Sequence, residues 1–162
     1  MNPGATQSAV LASRLSQLME SEAALLRNFL ELLSREESLL VAGETDALLA
    51  LTKEKTELYH LLQRQHDTRA RMLGQAGLEN NAEGIRKVCA ALPGALATWD
   101  RILSLAAEAR ARNELNGKLI TEHMQHNQAA LSVLLTAADQ PQLYDAEGVS
   151  RPAGRGRHLG SA

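Results

Sequence analysis

The chain has 162 residues, 17 basic against 19 acidic, and a formal net charge of −2. That near-balance gives no ground for expecting a nucleic-acid partner along the whole chain, and no run of about 18 apolar residues exists to span a membrane. The single cysteine, Cys89, excludes an internal disulfide and a thiolate zinc site.

A chain of this length is expected to form one main domain. Hydrophobic residues make up 44% of it and aromatics 2%, so the core must be built from Leu and Ala. The opening "MNPGATQSAV" lacks a basic stretch followed by an apolar run, so no secretory signal is expected. A reducing cytoplasm fits the cysteine usage best.

Residues 7–42 read as one helix. Leu11, Leu15, Leu18, Glu22, Leu25, Phe29, Leu32, Glu36 and Leu39 recur in alternating steps of four and three, the rhythm of a buried helical seam. A second line, Met19, Leu26, Leu33 and Leu40, runs beside it. Two adjacent lines widen the stripe and favour a bundle over a lone two-stranded coil.

Gly43 ends this helix, and Thr45 or Asp46 is placed to cap the next. From Asp46 to about Leu73 the rhythm resumes through Leu48, Leu51, Lys55, Leu58, Leu62, Gln65, Arg69 and Met72. Gly74 and Gly77 bracket a loop. Asn80 or Asn81 starts a short helix through Ile85, Val88 and Leu92, which Pro93-Gly94 should break or kink.

The longest helix is expected over 95–139. Its line runs Leu96, Trp99, Leu103, Ala106, Arg110, Asn113, Gly117, Ile120, Met124, Asn127, Leu131 and Leu134. Asn116-Gly117 is a strong turn signal, but a true turn would reset the phase, and the phase is kept. The helix therefore reads as continuous, at a cost of about 1 kcal/mol for an interior Gly relative to Ala.

Beyond residue 140 come a turn-prone strip with one apolar pair, Leu143-Tyr144, and a Gly/Arg/Pro-rich end. This composition predicts a disordered tail. Its arginines could touch nucleic acid or anionic lipid, but such residues on a tail are commonly just solvated. The predicted fold is all-α: an antiparallel helical bundle or long hairpin with three main helices over 1–140, then a tail over 141–162.

Catalytic and metal chemistry find little purchase. Glu57 and His60 match a Glu-x-x-His di-iron motif once, and such sites need it twice. His123 and His126 share a helix face, an arrangement commoner for solvated histidines than for ligands. Cys89 reads as a small buried hydrophobe. No Gly-rich phosphate loop or nucleophile elbow is present. No enzyme activity, cofactor or metal is expected.

Arg110, Asn113 and Gly117 fall at three heptad positions nearly in succession, and each is wrong for a dry core. One explanation is a local exit from the bundle, or an ion pair with Glu22 or Glu36. The other is a helix half that rearranges to present Ile120, Met124, Leu131 and Leu134 to another protein's helix.

Asn113, Asn116 and Gly117, then Asn127 to Leu135, then Leu143, Tyr144 and Gly148, resemble in order and spacing the FlgN family of flagellar export chaperones. The stretch "SREESLLVAGETDALLALTKEKTELYHLL" also resembles that family's first helix pair. The Pro93-Gly94 break departs from the pattern.

The resemblance implies a cytoplasmic chaperone of flagellar type III export. Its clients would be the hook–filament junction proteins FlgK and FlgL, delivered to the export gate protein FlhA. It implies a client-binding set of Asn113, Asn116, Gly117, Ile120, Met124, Leu131 and Leu134, with Leu143 and Tyr144 contacting the gate. The alternative is a structural coiled-coil adaptor with no client handling. Long Leu stripes also allow a homodimer.

Overall fold

The computed structural model describes residues 3–138, and among these every regular element is a helix. α1 is Pro3–Ala42, α2 Thr45–Gln75, α3 Ala82–Cys89 and α4 Pro93–Ala138. The chain divides into two compact units, Met1–Ile120 and Thr121–Ala162. The first holds α1 to α3 and α4 as far as Ile120. In the described residues the second holds the rest of α4. The tail over 141–162 lies outside the described residues.

Two glycines set the helix ends. Gly43 has φ +71 and Gly77 φ +72, backbone that suits a residue without Cβ. After α1, the Gly43 amide donates to the Leu40 carbonyl and the Glu44 amide to the Leu39 carbonyl. After α2, Gly77 donates to Gly74 and Leu78 to Leu73 in the same pattern. Both are Schellman closures, which satisfy carbonyls that would otherwise end unpaired. α2 thereby runs through Gly74 to Gln75, past the expected stop at Leu73.

The expected cap at Thr45 or Asp46 is replaced by Glu44, whose side chain makes no capping bond. The Schellman turn already fixes the chain's entry there. Asn81 does cap α3: its Oδ1 accepts from the Gly84 amide at 2.9 Å. Pro93 breaks the chain as expected and becomes the first residue of α4, where its missing N–H costs nothing.

α1 and α2 are antiparallel, and polar residues on the predicted seams fix their register. Glu36 meets Lys55 at 2.9 Å, and Glu22 meets Arg69, each residue one step of fourteen along its helix from the matching residue of the other pair. Sliding α2 by one heptad either way would put Glu36 opposite Leu48 or Leu62. A buried carboxylate would then face hydrocarbon, which is strongly unfavourable.

As far as Ile120, α4 runs alongside α1 in the same direction: Thr98 reaches Glu20, and Asn116 reaches Glu36. Leu15, Met19, Leu73, Trp99 and Ile102 form the main core, and α3 adds Ile85 and Cys89 to it. Burial pushes the Cys89 thiol pKa up, so Cys89 behaves as a small hydrophobe. Phe29, Leu33 and Ala109 make a smaller cluster further along.

Candidate functional site

The register of α4 differs from the expected one by a single residue. Its inward line is Ala95, Trp99, Ile102, Ala109 and Asn116, all buried, with Leu105, Arg112 and Leu119 half-buried between them. Leu103, Ala106, Arg110, Asn113 and Gly117, expected on the seam, are exposed. Arg110, Asn113 and Gly117 therefore do not interrupt the core. Nor do they pair with Glu22 or Glu36, whose partners are Arg69 for the first and Lys55 with Asn116 for the second.

Asn116 is the polar residue that enters the bundle. It is 1% exposed. Its Nδ2 donates to the Leu33 carbonyl at 2.9 Å and to Glu36 Oε2 at 2.8 Å. Glu36 also accepts from Lys55 Nζ, so one carboxylate ties α1 to both α2 and α4. Among the resemblance-implied residues, Asn116 is thus held inside the bundle, where it fastens α4 to α1.

A second polar tie lies two heptads away. Arg69, buried on α2, pairs with Glu22 of α1 and donates from Nε to Asn80 Oδ1 at 2.9 Å. Its guanidinium carbon lies 4.9 Å from the ring centroid of Trp99 on α4, a cation–π geometry strengthened by burial. The bundle is therefore held by apolar layers and by two polar ties that each reach all three long helices.

The rest of the expected set is accessible. Asn113, Gly117 and Ile120 are exposed in the first unit. In the second unit every residue from Thr121 to Ala137 is exposed. Met124, Leu131 and Leu134 lie there at heptad spacing, with Leu131 57% and Leu134 67% exposed. Val133 and Leu135, which the heptad line passed over, are exposed as well. The signal for them was present: "ALSVLLTAA" is apolar on more than one face, and a helix of that kind is usually covered. Leu143 and Tyr144 lie outside the described residues.

The helix does pass straight through Asn116-Gly117, and an added Cβ at Gly117 would meet nothing within 4 Å. Gly117→Ala should therefore stabilise the protein by about 1 kcal/mol, measured as a higher urea midpoint at unchanged slope. A destabilised variant would show that Gly117 departs from helical geometry in solution.

Among the described residues no helix is long and apolar enough to cross a membrane. No solved structure matches the chain. Two proteins named Flagella synthesis protein FlgN, one from Yersinia enterocolitica serotype O:8 / biotype 1B and one from Yersinia enterocolitica, are each 29% identical over 154 residues, covering 93% of this chain and 99% of the relative. The family profile described as FlgN protein matches residues 1–152, nearly the whole length. The chain belongs to the FlgN family.

Proposed function

We propose that this protein is a cytoplasmic chaperone for flagellar type III export, binding the carboxy-terminal segments of FlgK and FlgL and handing them to FlhA. Family membership and the names of the two Yersinia relatives support the flagellar setting. The observation that carries the client-binding part is the exposure of Met124, Leu131, Val133, Leu134 and Leu135 on one stretch of helix. A single helix in water is marginal, and leucines left in water forgo roughly 25 cal/mol per Å² of buried apolar area. A client helix laid on this stretch recovers that free energy and hides its own apolar face. The occupied surface lies in the second unit, on Met124, Leu131 and Leu134, joined by Val133 and Leu135.

The direct test is calorimetry of the purified chain against carboxy-terminal segments of FlgK and FlgL. Saturable binding with a negative heat-capacity change is expected. The structural-adaptor reading predicts no heat with either segment, and that result would overturn client handling.

The gate contact is assigned to Leu143 and Tyr144, by family resemblance and because Tyr joins large apolar area to a hydroxyl, a combination suited to small interfaces. Tyr144→Ala should weaken FlhA binding by about tenfold and leave client binding and melting temperature unchanged. A melting temperature lowered by several degrees would instead make Tyr144 part of the packed domain.

A further inference from the structure

Within the first unit, α4 as far as Ile120 packs on one side of the α1–α2 hairpin and leaves a groove on another. Two adjoining hollows of about 460 and 320 Å³ lie between α1 and α2, and α4 lines neither. Both include Arg35 and Glu54, so they form one trough. Its floor is apolar, from Leu32, Leu39, Leu51 and Leu58. On the α1 side it runs from Asn28 to Leu39, about 16 Å at helical rise, or three helical turns.

The α2 wall has its own pattern. Ala47, Ala50, Glu54, Glu57 and Leu61 recur in steps of three and four, one position before the α2 line that packs on α1. Ala47 and Ala50 keep this wall low, which lets another backbone approach closely. Leu61 at the far end is 36% exposed. The groove thus offers small residues at one end and a larger apolar contact at the other, at the spacing a further helix would meet in a bundle.

Charge selects the occupant. Glu31, Glu54 and Glu57 line the trough against Arg35 alone. Arg35 is already matched with Glu54 across it at 3.3 Å. Both of these side chains are largely exposed, and such pairs contribute little, so the bridge can reopen for a ligand. Among the described residues, Glu31 and Glu57 have no ion-pair partner.

We propose that this groove docks an amphipathic helix of another protein, with an apolar stripe flanked by Lys or Arg. A second copy of this chain fits poorly. Groove against groove would set Glu against Glu, and the exposed helix from Thr121 to Ala137 contains no Lys or Arg. The groove lies wholly in the first unit and shares no residue with the proposed client surface.

Two synthetic helices test this. Each is about 15 residues, the length at which an isolated helix begins to hold in water. They share one Leu/Ala stripe and are flanked by Lys in one and Glu in the other. The full chain, methyl-labelled at Ala and Leu, is titrated with each by NMR. The Lys-flanked helix is expected to shift the Ala47, Ala50 and Leu61 methyls and to bind at least about tenfold more tightly than the Glu-flanked one.

Glu31→Lys with Glu57→Lys should reverse that order without changing the melting temperature. Leu131→Asp with Leu134→Asp should leave it intact. Equal affinity for both helices, no binding of either, or shifts confined to residues 124–137 would each overturn the proposal. So would concentration-dependent dimerisation that perturbs the same methyls in the peptide-free protein, which would make a second copy the occupant.

Discussion

Leu131→Asp combined with Leu134→Asp should lower affinity for the FlgK and FlgL segments by at least about a hundredfold while the helix content and melting temperature stay near their original values. Both side chains are more than half exposed in the free protein, so the folded bundle does not depend on them. In a client complex each would contribute about 1.5–3 kcal/mol on full burial, and an unpaired carboxylate in their place adds a desolvation penalty. Asp is a weak helix former that the carboxy-terminal end of a helix dipole disfavours, so local fraying needs a control. Leu131→Gln with Leu134→Gln supplies it, since Gln keeps helix propensity and removes only the apolar contact. Titration calorimetry and circular dichroism on both variants separate the outcomes. Undiminished client binding by the Gln variant would place the surface elsewhere. A cooperative loss of helicity in both variants would mean that these leucines belong to a packed core in solution.

The second large effect concerns stability. Arg69→Met should cost about 3–5 kcal/mol, because it leaves Glu22 buried without its partner. The same change removes the donor to Asn80 and the cation over Trp99. For a bundle of this size the melting temperature should fall by on the order of 10 °C. Adding Glu22→Leu to Arg69→Met should recover most of that loss, since two apolar side chains can replace a buried ion pair at little or no cost. Urea denaturation of the two single variants and the double variant measures the coupling. An Arg69→Met protein as stable as the parent would mean that the Glu22–Arg69 tie is solvated in solution. The double variant also tests register. With only the Glu36–Lys55 pair left to oppose sliding, it should fold with less uniquely ordered side-chain packing, seen as broadened methyl resonances.

Local rules acting on the sequence alone determined most of the helices. The heptad rhythm, the two glycines that close α1 and α2, the Asn81 cap and Pro93 at the start of α4 each act within a few residues, and the structure follows them. The kept phase through Asn116-Gly117 correctly predicted an unbroken helix there. Glu22, Glu36, Lys55 and Arg69 were also legible, as charges standing on apolar lines.

Only the tertiary structure decided what those charges are for. Each needs a partner 19 or 47 residues away, and no local pattern specifies that pairing. It likewise decided which face of α4 turns inward. Around Leu103, Ala106 and Arg110 the sequence offers two neighbouring lines, the other being Ile102, Leu105 and Ala109, with Leu and Ala on both. A helix supplies either face at nearly equal intrinsic cost. The Glu36 carboxylate and the Leu33 carbonyl of α1 each have room for a further donor beside the bonds they already accept, which favours the face that brings Asn116 to them and leaves Asn113 and Gly117 exposed.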